Sequence, residues 1–169
     1  DKSVDAIFRM VDYGHASIAD MAPVAMFLDG ISLYAAYILW SLAPTASGQE
    51  SSTRYIQMEK KGVVHPRDLG IKDAKKYYAH VERAFAQYHR AITLWTHAAT
   101  KDPSLMRIPE TVLADTSEKG MKRLERMRRN FAVDRARIYL PVCAKTNVMM
   151  IMSARSWVDL ISTLLSHPS

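Results

Sequence analysis

Seven apolar residues, Ala74, Tyr78, Val81, Phe85, Tyr88, Ile92 and Trp95, recur at alternating spacings of four and three. That rhythm puts them on one edge of an α-helix for about six turns. No other regular structure presents such a set on one side, so the chain is committed to at least one long helix. The edge can face a partner helix or the chain's own core, and the core is the expectation.

The remaining elements follow from weaker patterns. Val4, Ile7, Phe8 and Val11 fall at helical spacing, with Gly14 placed to end that helix. Ala22 to Leu28 is a short apolar run whose length suits a buried strand better than a helix, and Gly30 punctuates it. Ile31 to Leu42 predicts a mostly buried helix stopped by Pro44. Gly and Pro mark Lys61 to Gly70 as loop, and Pro103 and Pro109 mark a second connection. Met121, Leu124, Met127 and Phe131 predict another helix running towards Leu140. Val148 to Met152 predicts a strand or buried turn, and Ser153 is a candidate N-cap for a last helix, Ala154 to Ser166. There is no internal repeat and no alternating strand–helix–strand run. The expected fold is α+β, helix-dominated, with a small sheet. At 169 residues the chain fits one domain, 1–169. It begins without Met, directly in a helical pattern, and is expected to be trimmed at both ends or part of a longer chain.

Composition excludes several classes. Apolar residues make up 49% and charged residues 24%, as in ordinary soluble domains. The longest apolar stretch, Val148 to Leu165, is broken by Arg155 and Asp159, so no membrane span is expected. A single cysteine, Cys143, forbids an intrachain disulfide and suits a cytoplasmic, reducing setting. It is expected to be a packed thiol. No zinc-type spacing of Cys and His occurs, and no metal site is expected. His15 reads as a turn residue, and His89 and His97 share a helix face without further ligands. The net charge of +6 is compatible with anionic partners.

The polar segment Thr45 to Tyr55, TASGQESSTRY, carries the chemistry. Glu50, Ser52 and Arg54 are two residues apart. On an extended backbone they share one face and form a row roughly 13 Å long, at 3.3 Å per residue. A nucleotide along it would place a base N–H on Glu50 and its phosphate on Ser52 and Arg54, since guanidinium holds phosphate by paired hydrogen bonds. The plainer alternative is a polar loop.

Four segments occur in a telling order. Gly14-His15-Ala16-Ser17 comes first, then Ala46-Ser47-Gly48-Gln49-Glu50-Ser51-Ser52-Thr53-Arg54-Tyr55. Ala136-Arg137-Ile138-Tyr139-Leu140-Pro141 and Ser153-Ala154-Arg155-Ser156 follow. Together they resemble the flavin-dependent thymidylate synthases. The resemblance implies a substrate-binding set of Gln49, Glu50, Ser52, Arg54 and Arg155 for a pyrimidine nucleotide such as dUMP. Arg155 has a structural salt bridge as its alternative. The resemblance also implies FAD, NADPH and methylenetetrahydrofolate as cofactors, and a homo-oligomer, tetrameric in the family, with sites shared between chains.

The match fails where the family carries Arg-His-Arg. Leu42-Ala43-Pro44 stands there and offers no charge or side-chain hydrogen bond. The family's second histidine falls near Met21, its glutamine has no counterpart near Leu39, and a later arginine becomes Asn147. In the family the triplet and the second histidine contact flavin and the later arginine contacts dUMP, and all four departures run in one direction, towards decay of the site. Ser52 has no histidine in its motif to activate it, so phosphate contact suits it better than nucleophilic attack; no catalytic residue is assigned. The expectation is a divergent domain that keeps part of the nucleotide-binding face, lacks most flavin contacts, and is inactive or partial alone. FAD binding by this chain is therefore in doubt, and a second complete domain or subunit would restore activity. One alternative is a non-catalytic interaction or oligomerisation domain. Another is nucleic-acid binding through Lys119, Lys122, Arg123, Arg126 and Arg129, which no interleaved aromatics support.

Overall fold

The computed structural model describes residues 2–12, 16–56, 58, 62–66 and 70–166. In chain order the elements are α1 (Lys2–Asp12), β1 (Pro23–Ser32), α2 (Leu33–Leu42), β2 (Ser47–Glu50), α3 (Ile71–Lys101), α4 (Glu110–Leu113), α5 (Glu118–Ala136), β3 (Lys145–Ser153) and α6 (Ala154–Ser166). Short 3-10 turns occupy Ala16–Met21, Pro103–Met106 and Arg137–Tyr139. Helix dominates, and the strands form one antiparallel sheet in the order β1-β3-β2, the α+β architecture expected from sequence. The chain divides into two compact units, one of residues 1–51 with 145–169 and one of residues 52–144.

The first unit is built on β3. Its side chains alternate, with Thr146, Val148, Met150 and Met152 buried and Lys145 and Asn147 exposed. That period of two is what a strand with one covered face requires. The buried side meets Ala36 and Leu39 of α2, Ala43 just after it, and Trp157 and Leu160 of α6. The Trp157 indole N–H donates to the Val24 carbonyl at 3.0 Å, so the large ring is buried without an orphaned donor. Ser153 caps α6 as expected, its hydroxyl accepting from the Ser156 N–H at 3.1 Å. Ser32 caps α2 in the same way, at 3.0 Å from the Ala35 N–H.

β1 and β3 pair from Pro23↔Ser153 to Leu28↔Val148, then shift register before Ile31↔Thr146. Gly30 sits in this bulge with φ 65°, a left-handed conformation that glycine adopts without penalty. The opposite edge of β3 takes β2, from Ser47↔Ile151 to Glu50↔Val148. A side chain at Gly48 would strike the Met149 carbonyl oxygen and come within 2.9 Å of the Trp40 ring. The glycine in the polar motif is therefore a packing requirement of β2.

In the second unit α3 packs on α5. Val81, Phe85, Tyr88, Ala91 and Ala99 are buried on one helix, and Phe131, Ala132, Val133 and Ala136 on the other. The apolar stripe is confirmed at its centre only: Tyr78 and Trp95 are 41% and 36% exposed. A spacing of 3.5 drifts by about 20° per heptad on a straight helix, so the stripe rotates out and Ala91 and Ala99 rotate in. Tyr77 donates its hydroxyl to the Val64 carbonyl at 2.8 Å, and Val63 bridges Ala144. Burial, with a hydrogen bond to Cys143, pushes the Tyr77 phenol well above its ordinary range.

Met150 is 0% exposed and Phe27, on the same sheet, is 80% exposed. Met150→Ala is expected to cost about 2–5 kcal/mol, and Phe27→Ala about 0.5 kcal/mol or less, by chemical denaturation.

Candidate functional site

Within the first unit, β2 carries Gln49 and Glu50 to the rim of a hollow of about 540 Å³, shared with Phe27, Asp29 and Asn147. The Thr146 hydroxyl donates to the Glu50 carboxylate at 3.4 Å and Ser51 N–H donates to the Asn147 carbonyl at 2.9 Å. The Asn147 side-chain oxygen accepts from Gly30 N–H at 3.0 Å, so it holds the bulge of β1. No Lys or Arg lines this hollow, whereas Asp29 and Glu50 do. It suits a neutral group with N–H donors, with the Phe27 ring as an apolar wall, and it repels an anion.

The extended row expected from Glu50 through Arg54 is not formed. The strand ends at Glu50. From Ser52 the backbone turns: its carbonyl accepts from the N–H groups of Tyr55 at 3.0 Å and Ile56 at 3.1 Å, and its hydroxyl from Arg54 N–H at 3.3 Å. A serine hydroxyl that bonds the backbone two residues on offers a turn in competition with the strand, and here the turn prevails.

Arg54 belongs to the second unit and is gripped there by Asp134 of α5. Its Nε and one terminal N–H donate to the two carboxylate oxygens, each at 2.7 Å. Arg137 stands 3.6 Å from the same carboxylate. The Arg54 hydrogen bond holds Asp134 below the usual carboxylate range, opposed by partial burial and helped by the charges of Arg54, Arg137 and Arg135. Asp134 reciprocally raises the Arg54 guanidinium. Nothing in the sequence singles out Asp134, because the pair spans 80 positions.

Arg155, at the start of α6, pairs with Asp20 at 3.1 Å. Asp20 also accepts from the Ser153 hydroxyl at 3.3 Å, so this arginine is part of the helix-start network. Ala43, the middle residue of Leu42-Ala43-Pro44, is buried in the first unit's core, while Leu42 and Pro44 are exposed. His15 lies outside the described residues. The basic stripe of α5 lines a shallow hollow of about 460 Å³, where Lys122 pairs with Glu118 at 2.6 Å. A larger hollow of about 840 Å³ in the second unit was not foreseen; Trp95, Phe131, Arg107 and Arg135 line it, with Arg135 3.5 Å above the Phe131 ring. Among the described residues no group of three or more His, Cys, Asp or Glu could hold a metal ion. No described helix is long and apolar enough to cross a membrane.

The family model for thymidylate synthase complementing proteins matches residues 1–168, and the chain belongs to that family. Its function is accordingly related to thymidylate synthesis. No curated protein matches the chain.

The depressed Asp134 carboxyl fixes the sign of a pH effect. A group whose folded pKa is lowered adds stability above its unfolded pKa, about 3.9, and loses it as pH falls through the folded value. Wild type should therefore exceed Asp134→Asn in melting temperature by a constant margin above about pH 5. That margin should shrink in more acidic buffer; calorimetric scans from pH 7 to pH 3 measure it.

Proposed function

We propose that the chain is a divergent flavin-dependent thymidylate synthase domain, residues 1–169, that retains binding of a pyrimidine nucleotide such as dUMP. The family match over residues 1–168 is the observation that carries this reading. Gln49 and Glu50 supply the acceptors for base N–H groups, as the acidic lining of their hollow, without Lys or Arg, favours. Ser52 and Arg54 supply the phosphate contacts, with Arg155 as an outlying member of the set. The two chemistries are consecutive in one stretch of chain.

The residues present do not fit FAD. Leu42 and Pro44 have no side-chain donor, and Ala43 is buried among apolar groups. A pyrophosphate-bearing cofactor needs cations or donors at such positions. No step through flavin is assigned to this chain. Methylene transfer from methylenetetrahydrofolate, with NADPH as reductant, would require a second complete domain or subunit. On this reading the chain works in a homo-oligomer or beside a tandem partner, in the cytoplasm.

A second reading, a non-catalytic interaction domain, draws on exposed apolar surface. Tyr34, Ile38 and Leu42 of α2 and Leu164 of α6 line an apolar hollow of about 520 Å³.

Calorimetric titration with dUMP and with FAD separately distinguishes these readings. The expected result is dUMP binding, weakened roughly tenfold or more by Arg54→Ala, with no stoichiometric FAD. A yellow protein that holds one FAD per chain and forms dTMP unaided would refute the main proposal. An absence of dUMP affinity, with Arg54→Ala affecting stability alone, would favour the interaction domain.

A further inference from the structure

We infer that Asp134 sets affinity and ligand choice at Arg54, acting as an internal anion that an incoming phosphate monoester must displace. The inference rests on the reading of Arg54 as a phosphate ligand and concerns the second unit alone.

Both oxygens of Asp134 are spent on Arg54, and they take Nε and a terminal nitrogen, one complete edge of the fork, at 2.7 Å each. A guanidinium offers a planar anion only a few such paired edges. A ligand that uses this edge has to expel the carboxylate. A ligand that uses the other edge binds beside it and meets its negative charge. In either case Asp134 opposes the ligand. Neutral pH does not lift the opposition, because Arg54 holds the carboxyl below its usual range and it stays ionised.

Ligand class follows from the exchange. A ligand carboxylate would replace one carboxylate by another, with the same charge and the same two oxygens. A phosphate monoester brings about −1.5 to −2 charges and three acceptor oxygens, so it alone gains by the exchange. A nucleoside without phosphate has nothing to offer at this end. The displaced carboxylate is not stranded either. Arg137 already stands 3.6 Å away and is half-exposed, so Asp134 can turn to it. The pair is 45% and 27% exposed, which leaves both partners room to separate.

The test is calorimetric titration of dUMP, deoxyuridine and acetate into the full chain at low salt. The proteins are wild type, Asp134→Asn, Asp134→Ser, Arg54→Ala and the double variant Arg54→Ala with Asp134→Asn. Circular dichroism melts establish folding, and the serine variant serves if the asparagine variant does not fold. Removing the carboxylate is expected to tighten dUMP about five- to tenfold, to admit measurable acetate, and to leave deoxyuridine unchanged. The gain should vanish in the double variant. Unchanged or weaker dUMP binding in both Asp134 variants overturns the inference, the weaker result making Asp134 a residue that positions Arg54. If wild type binds dUMP and Arg54→Ala weakens it, that outcome leaves the nucleotide-binding proposal standing. If wild type and the Asp134 variants all fail to bind dUMP, or if Arg54→Ala has no effect, both fall together.

Discussion

β3 has a strand on each edge and helices on one face, and the rest of the first unit takes its position from that pairing. On one edge β1 is held to it until the bulge at Gly30, where the Asn147 side chain replaces the missing ladder contact. On the other edge β2 pairs with Val148 through Ile151. The strand's last residue caps α6 and shares Asp20 with Arg155. Its alternating burial satisfies two conditions at once: apolar contact with α2 and α6, and exposure of Asn147 beside the hollow where Gln49 and Glu50 stand. A slip of one residue would invert both.

Much of this was legible in the sequence because it is local. Val148 to Met152 is a strand with Ser153 as cap, Met121 to Phe131 lies on a helix that gives way at Arg137, and the α3 stripe is helical. Each depends on side-chain period or on a cap within a few residues. β2 was not legible as a strand, since Ser47–Glu50 has no apolar alternation and owes its state to β3. The turn at Ser52 competes with an extended backbone by a few local hydrogen bonds, which the residue types alone do not rank. The Arg54–Asp134 pair and the Asn147–Gly30 contact join positions far apart in sequence, and no periodicity announces them.

The motif thus splits chemically. Its first half lines an acidic, partly apolar hollow, and its second half presents a guanidinium to an acidic helix residue. On the proposed reading the split matches a nucleotide, which is neutral and donor-bearing at one end and anionic at the other. Neither half alone has that combination of properties.

Ala43 has a further consequence. It ends α2 at 6% exposure, and its own N–H closes on the Leu39 carbonyl. A histidine or arginine there would have to drive a polar ring or a charge into the space between α2, β3 and α6, or lift the helix end away from the sheet. Asn147 is bound in the same way, since an arginine in its place would leave the Gly30 bulge without its acceptor. Both positions are therefore fixed by the packing around them: a larger or charged side chain at either is first a loss of stability, whatever contact it would offer a ligand.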